Sequence, residues 1–206
     1  QDAIVSKDDL KFNSGTYHIT ATDDGIRGKD SVYIVDGTFD ITAKGDGIKS
    51  TNETDAGKGF VLIENGNITI VAGDDGIHAI NLFTVQNGIV NITKSYEGLE
   101  AQKIIINNGE ISVTASDDGI NAGGGSDNTS NNPMVGDANG ELIFNGGNVY
   151  VNASGDGVDS NGYIYFHSVA EVFTNGVRTA SDITNGSTWL SKAYWLSEND
   201  IVNHYN

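Results

Sequence analysis

Residues 115–122 read ASDDGINA, a stretch in which two aspartates precede a glycine inside sequence that otherwise favours β-strands. The related stretches ATDDGIRG and AGDDGIHA occupy residues 21–28 and 72–79. Bringing like charges together raises the free energy unless something compensates for them, and the chain already carries a formal net charge of -17. The recurrence therefore indicates a repeated structural position with a defined chemistry.

The element Asp-Gly-Ile, or a close variant of it, occurs six times along the chain. The glycines of these copies are Gly25, Gly47, Gly76, Gly98, Gly119 and Gly157. A second glycine, usually after Asn or Asp, stands 10 residues before each of them, at Gly15, Gly37, Gly66, Gly88, Gly109 and Gly147. The basic period is 21–22 residues, with insertions at 51–57 and 123–140 that fall at the same phase of the repeat. A period of this length predicts a solenoid.

Apolar and polar residues alternate on both sides of each Asn-Gly turn, as in Ile104/Ile106 and Ile111/Val113 around Gly109. Alternation is the strand signal, and a third short strand begins at each Asp-Gly-Ile isoleucine. A three-strand unit of this size cannot bury its apolar face alone, so it must stack on its neighbours.

These features predict an all-β fold, a parallel β-helix of about seven coils with three short strands per coil. The coils are expected over residues 1–162, followed by an irregular last coil and a C-terminal cap over 163–206. A β-propeller needs a longer period, and a sandwich would not repeat its turns in register.

Stacking would place the Asp-Gly-Ile acids in one column, with neighbours about 4.8 Å apart. Adjacent carboxylates at that spacing repel by about 1 kcal/mol in water and by more where the dielectric constant is lower. Several Ca²⁺ ions would offset this repulsion, because calcium binds carboxylate, carbonyl and water oxygens at variable geometry. The candidate ligands are Asp23, Asp24, Asp46, Asp74, Asp75, Glu97, Asp117, Asp118, Asp156 and Asp159. The alternative is turn chemistry, in which the aspartate side chain accepts hydrogen bonds from nearby backbone amides.

One copy departs from the others, because residues 93–101 read TKSYEGLEA. Lys94 aligns with a recurrent alanine, and Tyr96-Glu97 replaces the acid pair. Lys94 either substitutes for a calcium ion by pairing with flanking carboxylates, or acts as the base of a calcium-dependent lyase that abstracts the proton α to a uronate carboxylate. Acidic surroundings favour the charged form of lysine. We therefore expect no catalytic residue, with Lys94 as the alternative.

The residue after each Asp-Gly-Ile isoleucine is predicted to point outward. The column formed in this way contains the candidate substrate-binding residues Arg27, Lys49, His78, Glu100 and Asn121, and it ends at Asp159. Its basic end is suited to uronate carboxylates, and an ordinary solvated ladder is the alternative. The aromatic residues Trp189, Tyr194 and Trp195 are expected to seal the open end of the core rather than to stack on sugar rings.

Composition restricts the remaining classes of function. The chain has no cysteine, which excludes disulfides and thiolate metal sites, and no apolar run approaches the length of a membrane span. No signal peptide is recognised at Gln1, so the chain is expected to be soluble or already processed. With 11 Lys and Arg against 28 Asp and Glu, it would repel a nucleic-acid backbone.

The repeated DDGI, the NG turns and above all KSYEGLEA at 94–101 resemble a family of clostridial secreted carbohydrate-binding proteins. That family consists of right-handed parallel β-helices similar to polysaccharide lyases, with calcium ions along the helix and affinity for cellulose and pectic polygalacturonate. The resemblance extends from about residue 20 to residue 158. It implies a non-catalytic binder of plant cell-wall polysaccharide, exported to the bacterial cell surface.

Overall fold

The computed structural model describes residues 1–123, 140–167 and 170–174, together with the backbone of 193–195. We number the strands β1 to β20 in chain order, and they form three rows. The first row contains β1 (Ile4–Ser6), β4 (Ile26–Gly28), β7 (Ile48–Ser50), β10 (Ile77–Val85), β12 (Leu99–Ile106), β14 (Ile120–Ala122) and β17 (Val158–Ser160). The second contains β2 (Asp9–Phe12), β5 (Ser31–Ile34), β8 (Phe60–Ile63), β15 (Glu141–Phe144), β18 (Tyr163–Phe166) and β20 (Ala193–Trp195). The third contains β3 (Thr16–Thr20), β6 (Thr38–Thr42), β9 (Asn67–Val71), β11 (Ile89–Ser95), β13 (Glu110–Ala115), β16 (Asn148–Ala153) and β19 (Glu171–Thr174).

Each strand pairs in parallel with its equivalent in the next sequence repeat. Ile26 pairs with Ile48, and Ile48 pairs in turn with Ile77. The first two rows share one 13-stranded sheet, and the third row forms a separate sheet of seven strands. No helix occurs among the described residues. The predicted all-β class is confirmed, and the parallel pairing is consistent with a solenoid.

Two repeats differ from the expected three short strands. In β10 and β12 the first-row and second-row strands are joined into one continuous strand. β10 pairs with β7 through its first three residues and with β8 through its last four, with a bulge between Ala79 and Leu82. In β12, Gln102 joins the two halves where Lys29 and Asp30 lie between strands in an earlier repeat. The prediction of three separate strands is therefore wrong for these two repeats.

The core consists of stacked side chains from the inward positions of all three rows. The isoleucines or leucine after the Asp-Gly glycines, including Ile26, Ile48 and Leu99, are completely buried. The alternation predicted around Gly109 is also seen, because Ile104 and Ile111 are fully buried. Burial of each such side chain contributes about 1.5–3 kcal/mol relative to exposure. These interior stacks therefore contribute substantially to the stability of the fold.

The first insertion, residues 51–57, connects β7 and β8 and is fixed at its base by Asp30. Asn52, which is 1% exposed, donates from Nδ2 to Asp30 Oδ1 at 2.6 Å. Lys58 Nζ lies 2.7 Å from Asp30 Oδ2. The Asn52 side-chain oxygen also accepts a hydrogen bond from the Asp55 amide at 2.9 Å. The insertion therefore begins with an ordered turn.

The second insertion lies between β14 and β15, and its residues 124–139 lie outside the part of the chain that the structure describes. Towards the C-terminus, β18 pairs with β15 and β19 pairs with β16, so the second and third rows continue in register. Trp189 lies outside the described residues, and Tyr194 and Trp195 are described only as backbone of β20. Their predicted role in sealing the core stays a prediction.

Candidate functional site

The acids before the Asp-Gly-Ile glycines lie in one column along a corner of the molecule. We call the set Asp24, Asp46, Asp75, Glu97, Asp118 and Asp156 the acidic column. The Asp46 amide donates to Asp24 Oδ1 at 3.0 Å, and the Asp75 amide donates to Asp46 Oδ1 at 2.9 Å. The Asp156 amide donates to Asp118 Oδ1 at 2.7 Å. Each of these carboxylates therefore connects one repeat to the next by a hydrogen bond. Bonding of the aspartate side chain to backbone amides was the alternative to calcium binding, and here it acts between repeats.

In two repeats that follow a pair of acids, a glycine stands at the position of the extra acid, and there is a steric reason for this. The extra residue Asp23 is exposed beside Asp24. At Gly45, in the next repeat, an added Cβ would lie 2.6 Å from Asp24 Oδ1 and 3.1 Å from Asp23 Oδ1. At Gly155 the corresponding Cβ would lie 2.4 Å from Asp118 Oδ1. In these two repeats the carboxylates of the preceding pair of acids thus leave no room for a side chain, whereas the repeat after Asp74 and Asp75 carries Tyr96 at this position.

The predicted column of Arg27, Lys49, His78, Glu100, Asn121 and Asp159 is present in register. It lies three residues after the acidic column, and its basic members pair with that column. Lys49 Nζ lies 2.7 Å from Asp46 Oδ2, and the Arg27 guanidinium lies 3.7 Å from Asp24 Oδ2. Lys49 therefore neutralises Asp46, whereas Arg27 lies closer to Asp2, with its Nε 2.7 Å from Asp2 Oδ2. The role of both residues in binding substrate stays a prediction.

The sequence predicts that His78 points outward to solvent. In the structure its side chain is instead buried and only 1% exposed. Its Nδ1 lies 3.0 Å from Asp75 Oδ2 and 2.9 Å from Glu100 Oε2. Burial by itself lowers the pKa of His78, but the hydrogen bonds to the two carboxylates outweigh burial and raise that pKa to about 11. His78 thus lies buried between two acids that favour its protonated form.

Glu97 is the first member of the acidic column that is followed three residues later by another acid, Glu100, rather than by a basic residue. Burial is the largest cause that raises the pKa of Glu97, and the charges of Glu100 and Asp75 raise it further, to about 8. Asn121 Nδ2 donates to Glu97 Oε2 at 3.2 Å and opposes the shift. Burial and the acids Asp118 and Asp156 similarly raise the pKa of Asp159 to about 6. Glu97 and Asp159 therefore lie where burial and neighbouring acids favour the protonated carboxyl group.

Three groups of side chains in the described part of the chain have ligand atoms within 4.8 Å of one another: Asp2/Asp23/Asp24, Asp46/Asp75/His78 and Asp75/Glu97/Glu100. Arg27 competes for the first group, and Lys49 and protonated His78 compete for the second. The first and third groups contain only carboxylates, which are the ligands that Ca²⁺ prefers. His78 also contacts Asp75 and Glu100 of the third group, so a basic side chain lies beside each of the three groups.

In chelator, the free energy of unfolding is expected to fall as the pH rises from about 4.5 to about 8, because the pKa of Glu97 is higher in the folded protein than in the unfolded chain. Protonated Glu97 favours folding below this window, and its ionisation contributes a slope of up to about 1.4 kcal/mol per pH unit within it. Urea titrations of Glu97→Gln should show this slope reduced. Glu110→Gln, which changes an exposed glutamate, is the control and should keep the slope of the parent.

Lys94 does not take the place of the recurrent alanine. A bulge in β11 shifts the register, so that buried Ser95 pairs with Ala115 while Lys94 is exposed. The ion pair expected between the Lys94 ammonium and flanking carboxylates is absent from the part of the chain that the structure describes. The extra residue of the bulge explains the error, because sequence alignment carries no information about it.

A groove of about 730 Å³ follows the Asn-Gly turns, and the sequence analysis did not identify it. Its floor is the backbone of stacked glycines, among them Gly37, Gly66 and Gly88, which have positive φ angles of 135°, 123° and 104°. A Cβ at any of these three glycines would lie within 2.9 Å of the carbonyl oxygen of the equivalent glycine one repeat earlier. The repeated Asn-Gly motif was the available signal, but by itself it predicts only a turn.

The lining of this groove is mostly polar. It includes Asp36, Asn65 and Asn87 before the glycines and Thr16, Thr38 and Asn67 after them, together with Ser14, Glu110 and the exposed apolar residue Ile89. Asn65 Nδ2 donates to Asp36 Oδ1 at 3.4 Å, and Asn87 Oδ1 accepts from Asn108 Nδ2 at 3.4 Å. A regular line of amides and hydroxyls above an open backbone floor is suited to an extended ligand that carries many hydroxyl groups.

Residues 1–130 match the model of a family described as carbohydrate-binding domain-containing protein. The chain belongs to this family. Every residue that lines the groove falls within the region matched to the carbohydrate-binding domain family. No curated protein and no solved structure matched the chain. Membership of the family indicates carbohydrate binding, without specifying the carbohydrate.

The family description names neither a catalytic base nor a metal. Among the described residues no helix is long and apolar enough to cross a membrane.

Proposed function

We propose that the protein binds plant cell-wall polysaccharide, cellulose or polygalacturonate, without cleaving it. The observation that carries the proposal is the polar groove over the Asn-Gly turns, which lies entirely within the family-matched region. Parallel strands repeat about every 4.8 Å along the groove, so polar side chains recur there at regular steps, with Ile89 as an apolar exception. A linear polymer of similar sugar units can meet such groups repeatedly along its length.

Electrostatics favours a neutral polymer in this groove. The chain has a formal net charge of -17, and the groove lining includes the acids Asp36 and Glu110. A polyuronate would be repelled at long range, whereas cellulose would not. Binding of polygalacturonate therefore requires cations between the two surfaces, at the acidic column or at the basic members of the Arg27 column.

We further propose an architecture, a bound metal and a cellular location for the protein. The parallel strand rows and the step of one repeat support a right-handed β-helix of about seven coils. Several Ca²⁺ ions would stabilise it, and Asp75, Glu97 and Glu100 would hold one of them. Bound calcium would neutralise these carboxylates and could accept oxygen ligands from a uronate. A role at plant cell walls implies export to the bacterial cell surface.

The proposed function is tested by removing two side-chain amides from the groove. The double variant Asn65→Ala/Asn87→Ala is expected to bind insoluble cellulose about tenfold more weakly than the parent, because each lost hydrogen bond contributes about 0.5–1.5 kcal/mol. Asn91→Ala, which changes an outward asparagine of the same sheet outside the groove lining, is the matched control and should bind like the parent. Depletion from solution by cellulose and by polygalacturonate measures both affinities.

A chelator arm in the same experiment tests the calcium proposal. Chelation should lower the thermal midpoint and reduce retention on polygalacturonate, while retention on cellulose is measured below the new midpoint and should persist. A parent protein that binds neither polymer would overturn the proposed function. Release of unsaturated uronide that disappears with Lys94→Ala would establish the lyase instead.

A further inference from the structure

Two exposed aromatic rings are stacked on the third-row sheet, beyond the family-matched region. Tyr150 on β16 is 44% exposed and Phe173 on β19 is 51% exposed. Their ring centroids lie 5.2 Å apart, and their planes differ by only 7°. Of the large apolar side chains that are exposed in the described part of the chain, these two alone form a stacked pair, and contiguous apolar surface rather than a single exposed residue marks a binding site.

One face of the Tyr150 ring is open. Tyr150 pairs with Phe173 on one side and with Ser112 of β13 on the other. The centroid distance is close to the spacing of about 4.8 Å between strands, so the ring planes stand across the direction from strand to strand. The second face of Tyr150 is therefore turned toward Ser112, whose small side chain does not cover it.

A pocket of about 190 Å³ lies at this position. Its lining consists of Tyr150 and Phe173, the hydroxyl residues Ser112 and Thr114, the amide of Asn152, and backbone or side chain of Val113 and Val151. None of these side chains is charged, although the chain as a whole carries a formal net charge of -17. The pocket thus combines an aromatic face with neutral hydrogen-bonding groups.

We propose that this pocket binds one neutral pyranose residue of a polysaccharide chain. The apolar C–H face of the sugar would stack on the open face of Tyr150, while Ser112, Thr114 and Asn152 would exchange hydrogen bonds with its hydroxyl groups. The absence of charge in the lining selects a neutral sugar over a uronate. The inference rests on the proposed function and adds a subsite to it, because the groove begins on the same sheet at Glu110, two residues before Ser112.

Two variants test the subsite in different ways. Tyr150→Ala removes the stacking face, and Ser112→Phe fills the pocket by extending the aromatic stack to the next strand. Both are expected to weaken retention of the full chain on insoluble cellulose about tenfold, which corresponds to about 1.4 kcal/mol. Retention on polygalacturonate should stay at the level of the parent. Tyr150→Phe keeps the ring and should bind cellulose like the parent.

Tyr96→Ala is the matched control, because Tyr96 is also an exposed tyrosine, at 48%, but lies outside this pocket. Thermal midpoints and sedimentation coefficients are measured for every variant. Folded Ser112→Phe that binds cellulose like the parent would overturn the subsite while leaving the proposed function intact. A change of oligomeric state, or a large loss of stability in Tyr150→Ala with unchanged binding, would assign the rings to self-association or to packing of the chain's own residues, and would also overturn it. A parent that binds no polysaccharide would overturn both proposals.

Discussion

Replacing Lys49 by methionine is expected to lower the free energy of unfolding by about 3–5 kcal/mol, the usual loss when one partner of a buried ion pair is removed. The Lys49 and Asp46 side chains are only 15% and 2% exposed, and the atoms Nζ and Oδ2 are 2.7 Å apart. Methionine retains most of the apolar length of lysine, so the change removes chiefly the charge. Equilibrium unfolding followed by circular dichroism measures the difference.

The effect of Lys49→Met should decrease at acidic pH. Burial already raises the pKa of Asp46, and Lys49 is the first of the charges that lower it. Without Lys49 the folded-state pKa rises further above the unfolded value, so stability is lost as the pH rises through that window and recovered as Asp46 is protonated. Lys44→Met changes an exposed lysine of the same repeat and should leave stability within about 0.5 kcal/mol of the parent. Equal effects at the two lysines would contradict the assignment of Lys49 as a neutralising cation.

Gly98→Ala is expected to destabilise the protein by about 3 kcal/mol or more, at the upper end of the range for overpacking. A Cβ at Gly98 would lie 2.2 Å from the carbonyl oxygen of Gly119 and 2.2 Å from Val113 Cγ1. Backbone from the next repeat occupies one side and a buried core side chain the other, so neither can move without disturbing the stack. The thermal midpoint should fall accordingly.

Gly57→Ala provides the comparison for Gly98→Ala. Gly57 has a positive φ of 76°, but an added Cβ there would meet no atom within 4 Å. Its substitution should therefore reflect only backbone strain of about 1–2 kcal/mol. A loss at Gly57 as large as the loss at Gly98 would show that crowding between repeats is not the reason for the Asp-Gly glycine.

The class of fold followed from the sequence because its evidence is local and repeated. The alternation around Gly109 and the fixed distance between the two glycines of each repeat determine which side chains face the core and which strands pair. The joining of strands in β10 and β12 and the bulge at Lys94 were not predicted. Both depend on how one repeat fits against its neighbours, and a single extra residue shifts the register without changing the motif.

The candidate site was predicted only in part. The acidic column was expected because acids recur at one phase, but their compensation by Arg27, Lys49 and His78 was not. A spacing of three residues brings the two columns into contact around the corner, which the recurrence of residue types does not reveal. The groove over the Asn-Gly turns depends on backbone shape and the Tyr150 pocket on the contrast between neighbouring strands. Neither property appears in the alternation of residue types.

The insertion between β7 and β8 makes this corner a permissive position for foreign peptides. Ser50 pairs with Gly28 and Ala79, and Phe60 pairs with Ser31 and Leu82, in the same register as strands that have no insertion between them. Residues 51–57 have therefore been accommodated without displacing any paired strand. Since Asn52 and Lys58 hold both ends of the loop to Asp30, an epitope grafted between them would be displayed with its termini fixed on a rigid scaffold.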